Sequence, residues 1–231
     1  MEEARSYKPE GFDCVEVKDD QRFDKEYFTM PDEDYNEIDH ILIPEGLIKS
    51  RAEKIAQCIY NHYISSPREK PLQIFVIMNG SFQYFSDLQL YIKKVREYKL
   101  ERLDYEVHFI KVKGYVNTES KLQSIDDAVL PEAMIKDHDI LVVEDVYDSG
   151  NCMDVILRHI NKYDPKSVKV TLLVHKCNPK NLKYNYKAEW VGFTVPGDKF
   201  LVGYGMDYNE HFRDLSHVCV ISKEGIEKYK Q

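Results

Sequence analysis

The chain has 231 residues, 43% hydrophobic and 31% charged, enough for one good core and the balance of a globular protein. Its formal net charge of −8 argues against binding nucleic acid or an anionic membrane through a bulk basic field. Any phosphate must therefore be held by a local site. The five cysteines, Cys14, Cys58, Cys152, Cys177 and Cys219, form no CxxC pair and have no histidine at zinc-site spacing. They read as free thiols in a reducing compartment. The opening residues lack the apolar core of a signal peptide, and no apolar run is long enough to span a bilayer. A cytoplasmic location is the expectation.

In chain order, the first forty residues are acidic and irregular and predict a surface wrap or small accessory lobe. Ile48, Ala52, Ile55, Ile59 and Tyr63 keep helical spacing, so a helix is expected from Leu47. A short apolar run, Ile74 to Met78, ends at Asn79-Gly80-Ser81. Phe82, Phe85, Leu88, Ile92 and Val95 predict a second helix with these residues on one face. Tyr105, Val107 and Phe109 alternate with polar residues as a strand does. Further strands are expected at Ile140 to Val143, Val168 to Val174, Trp190 to Phe193, Phe200 to Tyr204 and Val218 to Ile221. Met153, Ile156, Leu157 and Ile160 mark a third helix. No repeat or linker divides the chain. Short apolar strands alternating with helices predict a mostly parallel sheet covered on both faces, with ligands outside the carboxyl ends of the strands.

The most informative segment runs from Ile140 to Cys152. An apolar strand is expected to deliver Glu144 and Asp145 to its carboxyl end, and the turn Asp148-Ser149-Gly150 then opens a helix. The N–H groups of such a turn lack internal partners and can wrap an anion. Gly150 removes a side chain that would block close approach. Carboxylates beside an anion cradle conflict unless one ligand carries both a phosphate and a diol, as ribose 5-phosphate does. Acidic oxygens also suit Mg²⁺. Ser149 or Asp148 acting merely as a helix cap is the plainer reading of those residues alone. Neither a GxxxxGK[ST] loop nor a GxGxxG string is present.

This segment resembles the phosphoribosyl-diphosphate motif of the type I phosphoribosyltransferases. Downstream strings narrow the resemblance to the hypoxanthine-guanine phosphoribosyltransferase family: Val191-Gly192-Phe193, Lys199 through Tyr204, Asp207-Tyr208-Asn209-Glu210, Phe212 through Leu215, and His217 through Ile221. Ile41 to Gly46 and Lys113-Gly114-Tyr115 add to it, so the likeness runs from about Ile41 to the C-terminus.

The resemblance implies a type I phosphoribosyltransferase fold in a single domain, with a small hood from about 1–46 and 190–231. It implies transfer of the phosphoribosyl group from 5-phosphoribosyl 1-diphosphate to hypoxanthine or guanine, giving IMP or GMP and pyrophosphate. Asp148 would manage the proton at purine N7. Glu144 and Asp145 would face the ribose diol and the metal, and Asp148, Ser149, Gly150, Asn151 and Cys152 would cradle the 5′-phosphate. Lys176 would contact the 6-oxo group, Phe200 would stack on the purine, and the Leu201 backbone would read its edge. Asp207 would serve as a further base-side and magnesium-side carboxylate. Asn79, Gly80 and Arg213 would hold pyrophosphate, and Lys113, Gly114 and Tyr115 would open a closing lid. Mg²⁺ as cofactor and a homodimer or homotetramer are implied as well.

The departures from the family pattern cluster at the site. Ser149-Gly150-Asn151-Cys152 stands where Thr-Gly-Lys-Thr is usual, and Asn79-Gly80 stands for Lys-Gly. Gly114 replaces a usual Ser. Tyr147 replaces an aliphatic residue and is expected to narrow or redirect the base pocket, while His175 is expected to add pH-sensitive recognition near the base. The alternatives are a nucleotide-binding or regulatory paralogue with weak turnover, and an enzyme of the same fold using another base.

Overall fold

The computed structural model describes residues 13–111, 115–116, 119–120, 125–126, 128–180, 184 and 186–230. β3 (Leu72–Met78) is an apolar run buried along nearly its whole length. Such strands survive only with cover on both faces. Around it lie β1 (Val15–Glu16), β4 (Tyr105–Lys111), β7 (Asp139–Tyr147), β8 (Ser167–Cys177) and β9 (Trp190–Pro196). They form a six-stranded sheet in the order β1-β9-β8-β7-β3-β4, and every neighbouring pair is parallel.

Side chains alternate across it. Ile74, Val76, Leu141 and Val143 join the cluster under α1 (Glu45–Ile64) and α2 (Phe82–Lys99). Phe75, Ile77, Ile140 and Val142 join the cluster under α3 (Asn151–Asn161). A three-stranded antiparallel sheet holds a third cluster, built from β2 (Ile38–Ile43), β10 (Leu201–Val202) and β11 (Val218–Ile221). The short helix α4 (Lys223–Lys228) follows it. Among the described residues no helix is long and apolar enough to cross a membrane.

The elements differ from the sequence expectation in physically readable ways. β1 and the start of β2 lie inside the stretch read as irregular, and β2 is buried apart from Asp39. Trp190–Pro196, at the start of the stretch expected to contribute to a hood, runs in the large sheet. β7 does not stop at Val143 but carries Glu144 and Asp145 within it, and β8 likewise carries Lys176. The strand expected at Phe200 to Tyr204 is only Leu201–Val202, because Gly203, Tyr204 and Gly205 take φ of 89°, 52° and 98° and turn the chain. Phe82 is 52% exposed at the first position of α2 instead of lying on its buried face. α1 starts at Glu45 after Pro44, which supplies no side-chain cap; His217 Nδ1, just before β11, accepts the Glu45 N–H at 2.9 Å.

Candidate active site

The carboxyl ends of β3, β7 and β8 bring the predicted residues to one edge of the sheet. Successive residues of a strand point to opposite faces, so Glu144 and Asp145 separate. Glu144 is 7% exposed and accepts the Cys152 thiol from the start of α3. Burial, then the neighbouring Asp145, pushes its carboxyl up to about 8. Asp145 faces the turn before α2, where Ser81 Oγ donates to Oδ1 at 3.2 Å and accepts the Asp145 N–H at 2.9 Å. Burial pushes Asp145 up to about 6 despite lowering by backbone N–H groups, Ser81 and Arg213. A carboxyl pair held this far above the usual range favours exchange of its protons for a cation or ligand hydroxyls.

The turn Asn79-Gly80-Ser81 presses on Asp145. A Cβ at Gly80 would lie 2.1 Å from Asp145 Oδ2. The peptide bond before Asn79 is cis. Behind Gly80 stands Gly205, where a Cβ would lie 2.2 Å from the Gly80 carbonyl oxygen. Arg213 donates to the Gly205 carbonyl at 2.9 Å and pairs with Asp207 at 2.9 Å and Glu210 at 3.1 Å. Asp207 also accepts the Glu210 N–H at 2.8 Å. Asn79, Gly80, Arg213 and Asp207 thus gather around Asp145.

On the other side, Asp148 Oδ2 lies 3.1 Å from Lys176 Nζ, and Oδ1 accepts from Asn178 Nδ2 at 2.8 Å. Lys176 is only 7% exposed, so the expectation for a lone lysine, a solvated surface cation, does not apply. Phe200 is half-buried and meets Tyr208 edge-on at 5.1 Å, next to Leu201 in β10. The turn after β9 lies against the turn after β8, since a Cβ at Gly197 would come within 2.5 Å of the Cys177 carbonyl oxygen.

The cradle Asp148 to Cys152 leads into α3, whose cap is Gly150 at φ 79° without a side-chain cap bond, so neither Ser149 nor Asp148 caps the helix. Ser149 Oγ instead accepts the Asn151 N–H at 3.4 Å. Glycine is required at 150 by its φ and by its back wall, not by the approach of a ligand alone. A Cβ there would lie 2.5 Å from Tyr147 Oη and 2.6 Å from Tyr184 Cδ2. Tyr184 also donates to Asn151 Oδ1 at 3.0 Å. The first N–H groups of α3 have no partners within the helix.

Two expectations about the base pocket are corrected here. Tyr147 packs in the α3-side cluster and stacks on His175 at 5.1 Å, so its bulk falls beneath the cradle rather than beside Asp148 and Lys176. Its hydroxyl finds no hydrogen-bond partner among the described residues. His175, 4% exposed, is pushed down to about 4 by burial and stays neutral at physiological pH. Neutral in the fold but protonated below about 6.5 in the unfolded chain, it favours folding fully above pH 6.5. That contribution is lost as pH falls to 4, at a cost of about 3 kcal/mol. Urea unfolding of His175→Gln at pH 7 and pH 4.5 is expected to show a smaller acid loss than the parent.

Sequence reasoning missed Ser81, Asn178 and Tyr184. Only Ser81, directly after Asn79-Gly80, had a local signal. Lys113 and Gly114 lie outside the described residues; Tyr115–Val116 forms a strand, β5, pairing antiparallel with Glu119–Ser120, β6. Among the described residues no set of three acidic, histidine or cysteine groups converges to hold a metal unaided. Magnesium asks for less, one or two carboxylates plus substrate oxygens.

Comparison with known proteins places this geometry. Residues 45–209 match the phosphoribosyl transferase domain family. The chain is 36% identical over 225 residues to hypoxanthine-guanine phosphoribosyltransferase of Homo sapiens, covering 94% of this chain and 96% of that protein. The Mus musculus protein of the same name is 35% identical over 225 residues, covering 94% of this chain and 96% of its own. The crystal structure of hypoxanthine-guanine phosphoribosyltransferase from Schistosoma mansoni in complex with IMP superposes with a TM-score of 0.79. It is 31% identical, and the match covers 95% of this chain and 100% of that one.

Proposed function

The chain belongs to the hypoxanthine-guanine phosphoribosyltransferase family, and from that membership and the site we infer that its function is purine salvage. The phosphoribosyl group passes from 5-phosphoribosyl 1-diphosphate to hypoxanthine or guanine, giving IMP or GMP and pyrophosphate. The observation that carries this reading is the joint placement of Asp148, Lys176 and the Asp148 to Cys152 cradle at adjacent strand ends.

In this reading the N9–C1′ bond forms as the C1′–diphosphate bond breaks. Asp148 receives the proton leaving the base at N7, a carboxylate in general-base position. The Lys176 ammonium donates to the 6-oxo group, and since it cannot accept, it disfavours a 6-amino group. The N–H groups at the start of α3, which have no partners within the helix, hold the 5′-phosphate. Glu144 and Asp145 accept from the ribose hydroxyls, one on either side of the strand end. Arg213 and the Asn79-Gly80 turn hold the diphosphate, where a guanidinium fork suits paired oxygens. Phe200 covers the base and the Leu201 backbone reads its edge.

The donor set suits Mg²⁺, with Asp145 and Glu144 as nearest carboxylates and Asp207 beyond Arg213. Held by these carboxylates, the ion would offset charge on the diphosphate leaving group. The β5–β6 pair closes over the site, a homodimer or homotetramer is the assembly, and the cytoplasm is the location.

The test is product analysis by chromatography with hypoxanthine, guanine, xanthine and adenine as acceptors. IMP or GMP formation from the first two is expected; exclusive use of another base would overturn the reading. Within it, Gly80→Ala drives its Cβ into Asp145. A displacement of that size is expected to lower kcat/KM for phosphoribosyl diphosphate roughly 100-fold. Steady-state kinetics with the diphosphate varied would show it.

A further inference from the structure

We propose that Asn178 is a positioning residue for Asp148, selecting the carboxylate oxygen that takes the purine proton. The proposal rests on the reading of Asp148 as the group beside N7. Among the described residues, two donors of different kind reach Asp148, the Lys176 ammonium at Oδ2 and the Asn178 amide at Oδ1, 3.1 and 2.8 Å away. The amide is itself fixed. Asn178 Oδ1 accepts the Lys180 N–H at 3.0 Å, and the Asn178 N–H donates to the Lys176 carbonyl at 2.8 Å. With its oxygen engaged by an N–H, the amide must present its nitrogen to Asp148, so its orientation follows from the bonding pattern. From outside, the turn has no room to relax, since a Cβ at Gly197 would lie 2.8 Å from Asn178 Cα.

The two donors then divide the work. Lys176 is the group with a second partner in the complex, the 6-oxo oxygen of the base. As its ammonium shifts toward that oxygen, Oδ2 is released toward N7. Asn178 has no such alternative and stays on Oδ1, holding the carboxylate plane. The proton leaving N7 is therefore delivered to Oδ2, its bonding pair staying on the purine as the N9–C1′ bond forms and the C1′–diphosphate bond breaks. Nothing in the one-dimensional sequence marks this residue, because its bond to Asp148 joins positions thirty apart.

The experiment compares parent, Asn178→Ala, Asn178→Asp, Asp148→Asn and the double variant Asp148→Asn/Asn178→Ala in steady-state kinetics, with melting midpoints alongside. Loss of a hydrogen bond to a charged group is expected to lower kcat with hypoxanthine by at least about tenfold. KM for phosphoribosyl diphosphate should stay within about twofold, since that substrate's contacts are elsewhere. Asn178→Asp keeps the acceptor for Lys180 but sets carboxylate against carboxylate, and should lose more than Asn178→Ala. In the Asp148→Asn background the Asn178→Ala change should cost nothing further, a non-additivity that a merely structural role would not produce. Equal fractional losses in both backgrounds, or an unchanged kcat in Asn178→Ala, would overturn the assignment. If the parent turns over no base, the functional reading fails and takes this inference with it; if the parent is active and Asp148→Asn is not, only the Asn178 result decides.

Discussion

Asp148→Asn is expected to lower turnover of hypoxanthine and guanine by about 10² to 10⁴-fold, the usual contribution of a positioned general acid or base. The substitution is isosteric, so its effect is chemical. Asp148 projects from the turn after β7, and its oxygens meet Lys176 and Asn178. An amide at this position keeps one acceptor and can retain the contact with either donor, but it cannot receive a proton from N7. Affinity for IMP, which depends more on the cradle than on that proton, should change far less. Single-turnover rates and calorimetric IMP binding measured on the same preparation separate the two. Comparable losses in both would assign Asp148 to binding instead.

Chelating divalent cations is expected to reduce turnover by roughly 10³-fold, because a bound cation that offsets developing charge supplies several kcal/mol. In the proposed function Asp145 and Glu144 would hold it. Burial raises them to about 6 and about 8, so both bind protons more tightly in the folded protein than in water when no cation is near. A cation must displace those protons. The Mg²⁺ concentration for half-maximal rate should therefore fall as pH rises through 6, and Asp145→Ala should raise it at every pH. Initial rates across a Mg²⁺ series at pH 5.5, 6.5 and 7.5 would show this. A rate that persists in EDTA would remove the metal from the account.

Much of this was legible in the chain because the informative residues are contiguous. The run from Ile140 to Cys152 holds strand, acids, turn and helix start within thirteen residues, and each part folds by local rules: apolar alternation, a glycine at φ 79° and orphan N–H groups at a helix start. The parallel sheet followed from strands without polar faces. β2 was not legible, since its six residues sit in an acidic stretch and are buried by pairing with β11, nearly two hundred residues on. Nor were the partners of the site acids. Ser81 reaches Asp145 across 64 residues, and Tyr184 reaches Asn151 across 33. Periodicity carries no record of such contacts. Tyr147 and His175 show the same limit from the other side. Each is an unusual residue near the motif, and only their mutual stacking at 5.1 Å reveals that they brace the cradle from behind.

A crystal structure of this protein with IMP tests whether the α3 cradle, Asp148 and Lys176 form one site. The 5′-phosphate is expected within hydrogen-bond distance of backbone N–H groups between Ser149 and Met153. N7 is expected beside Asp148 Oδ2 and the 6-oxo oxygen on Lys176. A nucleotide bound elsewhere, or bound with its phosphate away from the start of α3, would contradict it.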